Sequence, residues 1–97
     1  MVLTGKAKKD FLTNMSILTE IKDKKDLEEY FSKISDLIKN AYYVDFFDSV
    51  EIHVNAVRYS GEFWKGIAEH ERTEIHLSRQ EAITEAIKKA NEIYNSK

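Results

Sequence analysis

The sequence predicts an α+β domain of order α-α-β-β-β-α, a three-stranded antiparallel meander with helices packed on one face. Three observations carry this. Apolar residues recur at helical spacing up to Ala41, alternate with a period of 2 from Val50, and return to helical spacing after Ser78. Ser78 followed by Glu81 fits a capping box, in which a serine oxygen and a carboxylate satisfy free backbone N–H groups at a helix start. The stripe that follows, Ala82, Ile83, Ala86, Ile87, Ala90, Ile93 and Tyr94, is rich in alanine, so this helix can lie close against a flat surface.

Thr4 is placed to cap a first helix from about Gly5 to Ile21, with Phe11, Leu12, Met15, Leu18 and Ile21 on its apolar side. Lys22 to Lys25 is a short polar break, which makes the next helix an antiparallel neighbour. Asp23 or Asp26 caps that helix, and Glu28 and Glu29 suit its N-terminal dipole. Leu27, Tyr30, Phe31, Ile34, Leu37, Ile38 and Ala41 keep a 3, 4, 3, 4 rhythm, so a single helix is expected to end near Tyr43, with Asp45 to Ser49 turning the chain.

Val50, Ile52, Val54 and Ala56 then form the inward side of a first strand. Tyr59-Ser60-Gly61-Glu62 is a turn with glycine available for a positive φ. The second strand runs from Phe63 to Glu69, and Gly66 within it indicates a bulge or a close backbone approach. Thr73, Ile75 and Leu77 alternate in a third strand, directly before the capped helix. With 97 residues the chain is one domain, 1–97, in which an N-terminal helix over 1–22 need not pack tightly on an α-β-β-β-α core over 26–95.

Composition narrows the function. Cysteine is absent, which removes disulfides and thiolate metal sites. No apolar run approaches the ~20 residues that cross a bilayer, and the lysines of Met1 to Asp10 are followed by no apolar core of a signal peptide. A cytoplasmic protein without membrane contact is expected. Net charge is −2, and the excess is local: Tyr42 to Leu77 holds three basic residues (Arg58, Lys65, Arg72) against seven acidic ones. Nucleic-acid binders carry the opposite footprint, so direct nucleic-acid binding is disfavoured and a protein partner with a basic surface is expected.

The three histidines, His53, His70 and His76, match no metal-ligand spacing, and alternation puts His53 and His76 opposite the isoleucines. Glu51, Glu62, Glu69, Glu71 and Glu74 read as solvated strand carboxylates rather than as a general acid and base. No phosphate loop, nucleophile elbow or zinc motif is present, so neither an enzyme nor a cofactor is implied. Tyr42, Tyr43, Phe46, Phe47, Tyr59, Phe63 and Trp64 crowd into one region; about half are core, and Tyr59, Trp64 and one of Tyr42 and Tyr43 remain for a surface. The expected partner-binding residues are Glu51, Tyr59, Glu62, Trp64, Glu69 and Glu74, on the exposed face of the meander.

The order from Leu27 to Tyr94, with Ser78 and Ala82 opening the last helix, resembles a double-stranded RNA-binding domain. Arg79-Gln80 stands where that family carries lysines. The likeness implies the topology and, as an alternative function, RNA binding through Arg79, Lys88 and Lys89. Leu3-Thr4-Gly5-Lys6-Ala7-Lys8, Asp45-Phe46-Phe47-Asp48-Ser49-Val50, Ser78-Arg79-Gln80-Glu81-Ala82 and Asn91-Glu92-Ile93-Tyr94-Asn95 are similar to small uncharacterised phage and prophage proteins of Bacteroidetes-type bacteria. That resemblance implies a mobile-element accessory protein that binds and inhibits a host defence complex, of the anti-CRISPR type, acting on an RNA-guided nuclease by protein–protein contact. An exposed strand edge also offers a route to a homodimer.

Overall fold

The computed structural model describes residues Met1–Lys97. The elements are α1 (Gly5–Thr19), α2 (Lys24–Lys33), α3 (Asp36–Ser49), β1 (Val54–Ser60), β2 (Phe63–Ala68), β3 (Glu71–His76) and α4 (Arg79–Asn95). The sheet is an antiparallel meander of order β1-β2-β3. α4 crosses all three strands on one face, and α3 lies beside it against β1. With extents of 44 × 29 × 17 Å the molecule is two layers thick, and no further layer covers the other face of the sheet.

The α+β class and the meander agree with the sequence pattern, but there are four helices rather than three. The expected second helix breaks at Ile34, whose φ of −82° and ψ of 160° are extended, and Ser35 restarts the chain by accepting the N–H of Ile38 at 3.3 Å. A serine oxygen satisfies an orphan N–H at a new helix start, which lets the chain turn without losing that bond. The break also rotates the buried side. Leu27 and Phe31 face the core from α2, but α3 buries Asn40, Tyr43, Phe46 and Phe47, leaving Leu37 and Ile38 in solvent. α3 continues to Ser49 instead of ending near Tyr43, because Phe46 and Phe47 are needed inside.

The start of β1 is corrected in the same way. Glu51 adopts a left-handed φ of 65°, and the Ile52 N–H turns back to Phe47 O at 2.8 Å. Val50 and Ile52 therefore belong to the exit from α3, and the strand begins only at Val54.

Phe11 is the centre of the helical core. Its ring meets Phe31, Tyr43 and Phe46 at centroid distances of 5.4, 5.0 and 5.6 Å, edge-on or tilted, as ring quadrupoles favour. α1 is thus integral to the core. Its N-terminus is held from outside the helix. Thr4 occupies the N-cap position but its side chain caps nothing; Asn91 Oδ1 accepts the Thr4 N–H at 2.9 Å and Asn95 Oδ1 accepts the Ala7 N–H at 2.8 Å. Asn91 and Asn95 also donate back to Thr4 Oγ1 and Thr4 O. The last turns of α4 cap the first turn of α1.

Candidate interaction surface

α4 approaches the sheet closely because Ala82, Ala86 and Ala90 are fully buried at the contact and because β2 offers Gly66 beneath them. Ser78 Oγ accepts the Glu81 N–H at 3.0 Å, the first half of the expected capping box. The Glu81 carboxylate does not return to the cap; it lies 4.0 Å from His76 Nδ1.

Register divides the strand residues between two faces. Val54, Ala56, Gly66 and Ala68 point to the helices. Val57, Tyr59, Phe63, Lys65 and Ile67 point the other way. β3 joins with a shifted register between Lys65 and Ile67, which sets Lys65 opposite Ile75 and Ile67 opposite Arg72. This bulge resets the alternation of β3. Thr73 and His76 turn towards α4, while Ile75 and then Leu77 face outward, 46% and 69% exposed. Ile75 and His76 lie on opposite faces, as alternation predicts, and it is His76 that faces the helices while Ile75 and Leu77 face solvent.

The open face is apolar with a cationic centre. Tyr59 and Phe63 are exposed at one end, Ile75 and Leu77 along one side, and Lys65 Nζ sits 4.6 Å from the Tyr59 ring centroid. Among the six residues expected to bind a partner, Tyr59 alone projects from this face. Trp64 is half-buried on the helix side, paired across the strands with Arg58, whose guanidinium stacks 4.9 Å from its ring.

The carboxylates do not assemble with Tyr59. Glu51 is in the α3–β1 connection, Glu62 in the β1–β2 turn, and Glu69 in the opposite β2–β3 turn, where Lys97 pairs with it at 3.2 Å. Glu74 lies with Thr73 and Lys88 in the groove between β3 and α4. The acidic excess of the middle segment is thus spread over both ends and one edge of the sheet. Phe63 was read only as one of the crowded aromatics, and Ile75 and Leu77 were not singled out by sequence, because the facing of β3 depends on a bulge whose position only pairing reveals.

Of the three cations expected for an RNA helix contact, Arg79 is exposed and makes no ion pair, whereas Lys88 and Lys89 are engaged within the fold. Lys88 pairs with Glu85 at 3.1 Å, and Lys89 with Glu71 and Glu92 at 3.6 and 3.7 Å. The three histidines are dispersed as well. His53 precedes β1 with Nδ1 2.7 Å from Asp48 Oδ1, His70 is in the β2–β3 turn, and no three ligating side chains converge.

A second concave feature, about 610 Å³, lies between α3 and the start of α4. Asn40 Nδ2 donates to Thr84 Oγ1 at 3.2 Å there, and the Thr84 hydroxyl donates to Gln80 O at 3.0 Å. His76 Nε2 and Gln80 Nε2 are buried beside them without a protein hydrogen-bond partner. Burial raises the Tyr43 phenol to about 12; the nearby Val2 backbone N–H opposes this, and the charge of Asp36 adds to it. The Thr84 hydroxyl is committed to a carbonyl rather than to a base.

No helix of the chain is long and apolar enough to cross a membrane. No protein-family model, curated protein or solved structure matches the chain.

Proposed function

We propose that the chain is a non-catalytic protein-binding module that docks through the open face of its sheet, as an inhibitory accessory protein of a mobile element would dock on a host nuclease. The observation that carries this is the exposure of Tyr59, Phe63, Ile75 and Leu77 on one flat surface around Lys65. Contiguous apolar area of this kind, with aromatic anchors, is characteristic of protein contacts. The face presents Lys65 and, at its edge, Arg72, with no carboxylate among its paired positions. A partner strip of apolar side chains flanked by acidic ones complements it better than the basic surface that composition alone suggests.

The test is affinity capture of the tagged protein from host lysate, with and without nuclease treatment, in parallel with Ile75→Lys and Tyr59→Ala variants. A protein retained after nuclease digestion and lost in both variants supports the proposal. Retention by both variants, combined with loss when Glu62 and Glu69 are reversed to lysine, moves the contact to the sheet ends.

A second reading has one specific support. Tyr59 and Phe63 are exposed aromatic rings on adjacent strands, with Lys65 4.6 Å from the Tyr59 ring centroid, a combination of the kind that single-stranded bases stack on. It predicts capture that disappears with the RNA and steep weakening with added salt.

A further inference from the structure

A separate groove lies on the helical side, between the C-terminal half of α1 and the start of α2. Its volume is about 410 Å³, and it is lined by the buried Leu12 and Leu27, the exposed Ile17, and Lys9, Lys22 and Lys24. Ile17 and its neighbour Leu18 are 73% and 62% exposed. These side chains lie on the outward side of α1 because Phe11 and Met15 occupy the inward one.

Lysines border the groove and carboxylates do not. Lys8, Lys33, Lys39, Lys88, Lys89 and Lys97 each pair with a carboxylate. Lys9, Lys22 and Lys24 pair with none, nor do Lys6, Lys25 and Lys65, and no carboxylate lines the groove that the first three border. The acidic groups nearby are committed or marginal. Asp23 accepts the N–H groups of Lys25 and Asp26 as the cap of α2, and Glu28 holds Lys8 at 3.4 Å. Glu20 stands outside, in an adjoining hollow with Ser16 and Lys22. Three unpaired lysines thus border these apolar side chains, and the neighbouring carboxylates lie outside the lining of the groove.

We propose that this groove binds an acidic segment of a partner protein, seating an apolar side chain on Leu12, Ile17 and Leu27 while flanking carboxylates meet Lys9, Lys22 and Lys24. Bare phosphate would use the lysines and leave the apolar side chains without a role. A lipid surface is met by a convex amphipathic face, whereas this site is concave. The site lies apart from the sheet and stands or falls independently of the open face.

The test uses the intact chain and a fluorescein-labelled peptide of alternating glutamate and leucine, followed by fluorescence anisotropy at low salt. Comparison probes are the lysine–leucine counterpart, an oligothymidylate and phosphatidylglycerol vesicles. The acidic peptide should bind in preference to all three. The combined Lys9→Glu, Lys22→Glu and Lys24→Glu variant should weaken it at least ~tenfold, because close opposite charges across an interface are replaced by like ones. Ile17→Ser should weaken it several-fold with the lysines intact, and circular dichroism should show both variants folded. Equal binding by the charge-reversed variant, no binding of the acidic peptide, or preference for the oligonucleotide or the vesicles would overturn the proposal.

Discussion

Gly66 on β2 lies directly beneath the carbonyl oxygen of Ala82 on α4, so close that a Cβ at position 66 would overlap that oxygen and stand 2.8 Å from Ala86 Cβ. Helix and sheet are in backbone contact here, and the distance between the layers is set by the absence of one methyl group. Gly66→Ala should destabilise the fold by about 2–4 kcal/mol, since neither backbone can yield without moving α4 across the sheet. Gly61→Ala is the control. That position has a positive φ of 54° but open space around it, so the cost is the left-handed conformation alone, about 1 kcal/mol. Urea denaturation midpoints of the two variants should separate clearly.

The cap on α1 is supplied by residues almost ninety positions away. Asn91 is buried and holds Thr4 through both its oxygen and its nitrogen. Asn91→Ala should lose about 1 kcal/mol, because the Thr4 N–H loses its partner and the first turn of α1 its tie to α4. Asn95→Ala, at a more exposed site, should lose about 1 kcal/mol and free the Ala7 N–H. Amide exchange should accelerate through the first turn of α1 in both, ahead of any change in the sheet.

How far the sequence is legible follows from where each determinant lies. α4 is readable because its signals are local: Ser78 at the cap, alanines at i, i+4 and i+8, and no competing pattern. Gly66 is readable as a close approach because a lone glycine in a strand has few other uses. The break at Ile34 is not, since Leu27 to Ala41 keeps helical rhythm straight through it and only Ser35 hints at a restart. The asparagine cap is invisible because Thr4 already satisfies the local expectation. The open face is half legible: Tyr59 is found from residue type, but Ile75 and Leu77 depend on the bulge opposite Gly66, a property of strand pairing rather than of β3 itself.

Tyr94 donates its hydroxyl hydrogen to Asp10, a second link between the last and first helices. The hydrogen bond to Asp10, with burial and the carboxylate charge adding to it, raises the phenol from 10.0 to about 12. A phenol with a raised folded pKa holds its proton more tightly in the fold than in the unfolded chain. Its contribution is fully present below pH 10 and is lost as pH rises through about 12. Tyr94→Phe should therefore cost about 1 kcal/mol near neutral pH. The gap between variant and parent should close as the parent is titrated from pH 10 to about 12. Urea midpoints measured across that range for both proteins check the sign; a gap that widens would contradict it.

Ser35 is the one side chain that holds the restart of α3, through its bond to the Ile38 N–H. Ser35→Ala should cost about 1 kcal/mol, the usual loss of an N-cap. Ser35→Gly should cost only a few tenths. If α2 and α3 instead fused into one helix on losing the cap, far-ultraviolet dichroism would rise in Ser35→Ala, and Phe31 and Tyr43 would lose their 5.3 Å contact.

The exposed apolar face makes a prediction that separates stability from binding. Ile75 packs against no covering layer, so Ile75→Lys should change folding stability by no more than about 0.5 kcal/mol. Ile87, on α4 facing the same sheet from the other side, is fully buried. Ile87→Ala should cost about 2–5 kcal/mol through lost burial and the cavity it leaves. The pair brackets the sheet: one face contributes to folding and the other contributes little. If Ile75→Lys proved as destabilising as Ile87→Ala, the outer face would already be covered in solution, and sedimentation of the unmodified protein should then show a dimer.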